Sequence, residues 1–134
     1  MKNTHQNSVL IIDDEPANIV ALRQILSSQY AIYGATDGQT GITAAREKSP
    51  DIILLDILMP GMDGYEVLSI LKDTEKTRDI PVVFITGLGS KDAEEKGLNL
   101  GAEDYILKPF SSAIVKLRIR NILKIANCTC AVTS

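Results

Sequence analysis

Asp13-Asp14, Asp56, Thr86 and Lys108 each follow directly on a short apolar run: VLII, IILL, VVFI and YIL respectively. If those runs are parallel strands of one sheet, their ends lie along a single edge. In open α/β sheets, ligands bind beyond the carboxyl ends of the strands. Four strands would then bring three carboxylates, a hydroxyl and an ammonium to one place. Each residue alone has a plain structural explanation. An Asp after a strand commonly forms a turn or caps a helix, and Asp14, ahead of Glu15-Pro16, could cap the first helix. Lys108 could be a solvated surface charge, and Thr86 an ordinary strand residue. Their coincidence at corresponding strand ends favours a shared site.

Three neighbouring carboxylates repel one another: two like charges 4 Å apart cost about 4 kcal/mol at an effective dielectric of 20. Such a set either retains a proton or binds a divalent cation. The donors are all oxygen, with no His or Cys nearby in the pattern, which favours a hard ion such as Mg²⁺, with Mn²⁺ as a substitute, over zinc. One carboxylate is then free to act as a nucleophile toward phosphorus, forming an aspartyl-phosphate. Lys108 would hold the phosphoryl oxygens as an ion pair and Thr86 as a hydrogen-bond donor.

The elements that must position these groups are legible in outline. Strands are expected at Ser8 to Ile12, Tyr30 to Gly34, Asp51 to Leu55, Pro81 to Ile85 and Asp104 to Leu107. Helical segments alternate with them. Pro16 to Leu26 places Ile19, Leu22, Ile25 and Leu26 on one face, and Gln39 to Lys48 carries a weaker pattern of Ile42, Ala45 and Arg46. Asp63 is an N-cap for a helix through Lys72 with Val67, Ile70 and Leu71 inward. Ser90 or Asp92 starts a helix that Gly101 ends, and Ser111 opens a last helix reaching about Ala126. Alternating strands and helices predict a mostly parallel sheet covered on both faces. The unbroken hydrophobicity of LII, IILL and VVFI suits strands buried on two sides.

The 134 residues suffice for one domain with a sizeable core. At 45% hydrophobic and 23% charged, the composition is that of a folded rather than a disordered chain. With no Trp and few aromatics, the core must be built from Ile, Leu, Val and Ala. A net charge of −3 argues against a direct nucleic-acid binder, whose footprint would be basic. The opening MKNTHQNS lacks the apolar stretch of a signal peptide, and no apolar run approaches the roughly 20 residues of a membrane span. A cytoplasmic chain is expected. Cys128 and Cys130 do not amount to a disulfide framework or a complete metal site.

The ordered set LIIDDEP, LLDILMPGMDGYE, FITG and YILKPF resembles the receiver domain of two-component response regulators, chemotaxis regulators among them. The likeness extends from about Ser8 to Ile125. It implies a flavodoxin-like doubly wound (βα)5 fold with a five-stranded parallel sheet in the order 2-1-3-4-5. The implied division is an N-terminal tail at 1–7, the receiver at 8–126, and a C-terminal tail at 127–134 that is either a cloning scar or the start of a missing segment. By the resemblance, Asp56 is the phosphoacceptor, charged by a sensor histidine kinase or a histidine phosphotransfer protein. Asp13 and Asp14 hold Mg²⁺ with Asp56, Asp14 the more direct ligand, and the backbone carbonyl of Leu58 completes the protein's share. Thr86 is the switch hydroxyl and Lys108 the conserved-type lysine. Pro109 follows it, commonly through a cis bond. Tyr105 is the aromatic that swings inward once the threonine engages the phosphoryl group, remodelling the surface of the fourth helix, fifth strand and fifth helix.

Two positions that tune the chemistry in this family, Leu58 and Leu88, are apolar here, which predicts a long-lived aspartyl-phosphate. Gly87 leaves the acceptor open to a donor. The last helix carries Ile114, Val115, Leu117, Ile119, Ile122, Leu123 and Ile125, more than one apolar stripe, which suggests a partner, a second copy or an absent C-terminal output domain. Asp104 and Arg118 match a pair used by family members that dimerise here, although Ile114 replaces a frequent acidic residue. Two other classes compete. An Mg²⁺-dependent phosphatase or phosphotransferase with an Asp nucleophile would carry a second acid where Leu58 stands. A receiver-like binding module would not need the intact acidic pair, acceptor, threonine and lysine. The expectation is therefore a phosphoacceptor signalling domain that catalyses only its own phosphorylation and slow dephosphorylation.

Overall fold

The structure is a computed structural model and describes residues 6–133, with side chains through residue 126. Ten elements alternate: β1 (Ser8–Ile12), α1 (Pro16–Leu26), β2 (Ala31–Ala35), α2 (Gly38–Lys48), β3 (Ile52–Leu55), α3 (Gly64–Lys72), β4 (Val82–Thr86), α4 (Lys91–Asn99), β5 (Asp104–Leu107) and α5 (Ser112–Thr133). The five strands form one sheet in the order β2-β1-β3-β4-β5, with every neighbouring pair parallel. The expected architecture and strand order are therefore observed.

The central strands explain their own sequence. All four residues of β3 and all five of β4 are buried, because helices cover the sheet on both sides. Alternate side chains divide into two cores. Val9, Ile11, Ile52, Leu54, Val83, Ile85 and Ile106 meet Ile19, Leu22 and Leu26 of α1 and Val115, Ile119 and Leu123 of α5. Leu10, Ile12, Ile53, Leu55, Val82, Phe84 and Tyr105 meet α2 and α3. Each fully buried aliphatic contributes about 1.5–3 kcal/mol of transfer free energy.

Local signals set the helix starts. Asp37 accepts from the Thr40 amide at 2.8 Å, and Asp63 forms a reciprocal capping box with Glu66. Ser90, rather than Asp92, caps α4, accepting from the Ala93 amide at 3.0 Å. Asp92 sits in the first turn, where a negative charge complements the helix dipole. Gly101, at φ +111°, supplies the left-handed residue just after α4.

Several expectations need correction. β2, β3 and β4 begin one residue later than expected, at Ala31, Ile52 and Val82; β2 and β4 also end one residue later, and α2 starts one residue earlier, at Gly38. Asp51 falls outside β3 because its carboxylate turns back to accept the Ser8 amide at 2.7 Å, tying β1 to β3 at the end of the sheet opposite the candidate site. Ile70 was expected inward on α3 but is exposed, and Leu68 takes its place beside Val67 and Leu71. The capping box fixes the rotation of the helix, and that rotation decides which side chains reach the sheet. α5 runs beyond Ala126 to Thr133, since no Pro or Gly in NCTCAVT interrupts it. Residues 1–5 of the expected N-terminal tail, and the side chains of the expected C-terminal tail including Cys128 and Cys130, lie outside the described residues.

Candidate functional site

The sheet register places the site. Ile12 pairs with Leu55, so Asp13 and Asp56 are each the next residue beyond a matched pair. Their amides remain on the ladder: Asp13 N–H donates to the Ala35 carbonyl at 3.0 Å and Asp56 N–H to the Ile12 carbonyl at 2.9 Å. Thr86 pairs with Leu107, and the Lys108 amide donates to the Thr86 carbonyl at 2.9 Å. The backbones of Asp13, Asp56, Thr86 and Lys108 are thus fixed by hydrogen bonds at the end of the paired strands.

Carboxylate oxygens of Asp13, Asp14 and Asp56 lie within 4.8 Å of one another. Asp13 and Asp56 are buried, at 3% and 6% exposure, a costly place for charge unless it is compensated. Part of the compensation is local, since Asp13 Oδ1 accepts the Glu15 amide at 2.9 Å and Asp56 Oδ1 accepts the Ile57 amide at 2.8 Å. The rest comes from Lys108, whose Nζ lies 2.9 Å from Asp13 Oδ2 and 3.2 Å from Asp56 Oδ2. Burial acts to lower the Lys108 pKa, but the hydrogen bond to Asp13 and the charges of Asp13 and Asp56 outweigh it and hold the pKa above its ordinary value. Asp14 has no part in capping α1, because Glu15 is the N-cap and makes no side-chain capping bond. One ammonium faces three carboxylates, so the cluster retains an excess of negative charge, and its oxygen-only donors suit a hard divalent cation.

Thr86 is fully buried, and its Oγ1 accepts a long, 3.4 Å bond from the Leu88 amide, which leaves the hydroxyl proton for another acceptor. The Lys108-Pro109 bond is cis. Gly87 is exposed with open space around its Cα, whereas the Leu58 side chain stands 58% exposed. Tyr105, the aromatic expected to respond to the switch, lies on the face of the sheet that carries Phe84. In this structure it is 9% exposed, and its hydroxyl donates to the Leu88 carbonyl at 2.5 Å. Gly97 of α4 lies over the neighbouring Phe84 ring, and a Cβ there would come within 2.9 Å of it. Burial, then Tyr65, Glu94 and Asp56, push the Tyr105 phenol up to about 12.

Sequence reasoning missed two contributors. The Leu88 carbonyl is a partner no side-chain pattern reveals. Gly64, the first residue of α3, packs so tightly that a Cβ would overlap the Asp56 carbonyl; its place after a capping Asp was the available signal. Asp104 and Arg118 pair at 2.8 Å.

A profile of the response regulator receiver domain matches residues 9–120, nearly the whole domain. The chain belongs to the response regulator receiver family. Among curated relatives, it is 41% identical over 117 residues to the response regulator PleD of Caulobacter vibrioides, a match covering 87% of this chain and 26% of PleD. It is 37% identical over 118 residues to the DNA-binding dual master transcriptional regulator RpaA of Synechocystis, covering 87% of this chain and 48% of RpaA. Among solved structures, a CheY-like response regulator receiver domain protein from Methanospirillum hungatei superposes with a TM-score of 0.87 at 25% identity, covering 93% of this chain and 99% of that one. The receiver thus spans from about a quarter to about half the length of these curated relatives. Among the described residues, no helix is long and apolar enough to cross a membrane.

Proposed function

We propose that this receiver takes a phosphoryl group on Asp56 from a phosphohistidine of a sensor kinase or phosphotransfer protein. An Asp56 carboxylate oxygen attacks phosphorus, the P–N bond breaks, and its electron pair stays on the imidazole nitrogen, which takes up a proton. The product is an acyl phosphate. Lys108, already bridging Asp13 and Asp56, transfers its contact to the new phosphoryl oxygens, and Thr86 donates its free proton to another. Asp13, Asp14, Asp56 and the Leu58 carbonyl would hold Mg²⁺, or Mn²⁺ in its place, which supplies positive charge against the incoming phosphoryl oxygens. Gly87 leaves the approach open. The receiver would have no catalysis beyond forming and slowly losing this adduct, and the reading places it in the cytoplasm.

The observation that carries this reading is the Lys108 bridge across two buried carboxylates beside a third. The test is incubation with Mg²⁺ and a small phosphodonor, read by intact mass. One phosphoryl adduct should form and be lost in Asp56→Asn; an adduct that survives that change would remove Asp56 as acceptor. Because Leu58 and Leu88 offer nothing to orient an attacking water, the adduct should last far longer than seconds. A half-life of seconds in a chase experiment contradicts that part of the assignment.

Signalling would leave through the α4-β5-α5 face, toward an output segment in a longer protein. A second reading for that face is a homodimer. A groove of about 440 Å³ there is lined by Glu94 of α4, Arg118 of α5 and the apolar Leu107, Phe110 and Ile114. A two-fold pairing through such a groove would bring Glu94 and Arg118 of the two copies close to one another over an apolar floor. Arg118 would then be shared between its own Asp104 and the second copy, and sedimentation with and without beryllofluoride would detect the pairing.

A further inference from the structure

α4 is held by very little. Of its nine residues only Gly97 is buried, so this helix lacks the apolar face that anchors the others. What fixes it is a row of three aromatic rings beneath it. Tyr105 stands edge-on to Phe84 with centroids 6.1 Å apart, and Phe84 edge-on to Tyr65 at 5.7 Å. Tyr105 holds the loop before α4 through the Leu88 carbonyl. Tyr65, at the other end of the row, holds α4 itself: its hydroxyl donates to the Ala93 carbonyl at 3.0 Å, and Lys96 Nζ lies 4.3 Å above its ring. Burial, with the Asp63 charge adding to it, raises the Tyr65 pKa, so the phenol keeps the proton it donates.

Tyr65 also has a direct connection to the acceptor. It follows Gly64, whose Cα rests against the Asp56 carbonyl and the Ile57 Cα so closely that no side chain fits. The Gly64 amide donates to the Ile57 carbonyl at 2.9 Å. These contacts form a continuous chain from the Asp56 backbone through the first turn of α3 to Ala93 and Lys96 of α4. This path contains neither Thr86 nor Tyr105.

We propose that Tyr65 is a positioning residue for the switch: a second latch that couples the Asp56 loop to α4 through the Ala93 carbonyl and Lys96. The proposal rests on the phosphoacceptor reading, and its test keeps the two separate. The full chain is treated with Mg²⁺ and beryllofluoride, or with a small phosphodonor, and amide hydrogen exchange is followed in peptides covering α4 and β5. The quantity read is the ratio of exchange rates between the two states. In Tyr65→Phe, which keeps the ring and loses the bond to Ala93, the α4 ratio should shrink by about three- to tenfold, the factor one net hydrogen bond supplies. Lys96→Met should shrink it less, and Tyr65→Leu more. The ratio in β5 should stay as in the parent, and so should phosphoryl uptake by intact mass. A merely structural role for Tyr65 would speed α4 exchange equally in both states and leave the ratio unchanged; that result overturns the proposal. A loss of the β5 response together with the α4 response would also overturn it, since the latch would then not be a separate path. If the parent takes up no phosphoryl group on Asp56, the functional reading itself fails, whatever Tyr65 does.

Discussion

α4 and α5 flank the same strand, β5, from opposite faces of the sheet, and they are attached by opposite means. α5 sets Val115, Ile119 and Leu123 into an aliphatic core shared with α1. α4 offers a lone glycine to a row of rings, with one polar tie from Tyr65 to Ala93 and a second from Tyr105 to the loop ahead of the helix. Aliphatic burial is non-directional and scales with area, so α5 can be displaced only at a cost spread over many contacts. Hydrogen bonds and edge-on rings are directional and few, so α4 can exchange one arrangement for another at modest cost. The same sheet thereby carries a fixed side and an adjustable side, with the acceptor site at the strand ends between them.

Removing buried volume from the fixed side should have the largest effect. Ile119→Ala should destabilise the fold by about 2–5 kcal/mol in urea titration, because Ile119 is fully buried. It should leave the response of α4 exchange to beryllofluoride intact; loss of that response would show that the two sides are not separable. Adding volume on the adjustable side should cost less and act locally. Gly97→Ala, which brings a Cβ against the Phe84 ring, should cost about 1–3 kcal/mol. Faster exchange should be confined to α4, and a uniform increase across the sheet would contradict its loose attachment. Smallest is Tyr105→Phe, which removes one hydrogen bond to Leu88 at about 1 kcal/mol. The phenol titrates near 10 when unfolded and about 12 when folded. The folded state therefore favours the neutral form, and the stability this provides is complete below about pH 10 and lost as the pH rises toward 12. Thermal melts of the parent between pH 9 and 11 should fall more steeply than those of Tyr105→Phe.

The two sides were also unequally legible in the sequence. The scaffold and the strand-end site could be read because runs such as IILL and VVFI suit only doubly buried strands, and in a parallel sheet all their ends fall on one edge. Asp51 and Asp56 show the logic and its limit. Both flank the same run, yet Asp51 ties β1 to β3 at the far end while Asp56 lies among carboxylates. The direction of the strand distinguishes them. What could not be read depended on rotation or backbone. Leu68 rather than Ile70 faces the core because of how the capping box turns α3, the Leu88 carbonyl leaves no trace in side-chain pattern, and Tyr65 looks like any first-turn aromatic. α4 carries almost no apolar residues, so its contacts had no periodicity to reveal them.

The salt bridge from Lys108 to Asp13 closes a separation of 95 residues. During synthesis at about 5–20 residues per second, Asp13 leaves the ribosome roughly 5–20 s before the lysine that neutralises it. Because a domain of this size folds as a unit, its acidic edge gains the compensating ammonium only when the last strand, β5, arrives with Lys108 directly behind it.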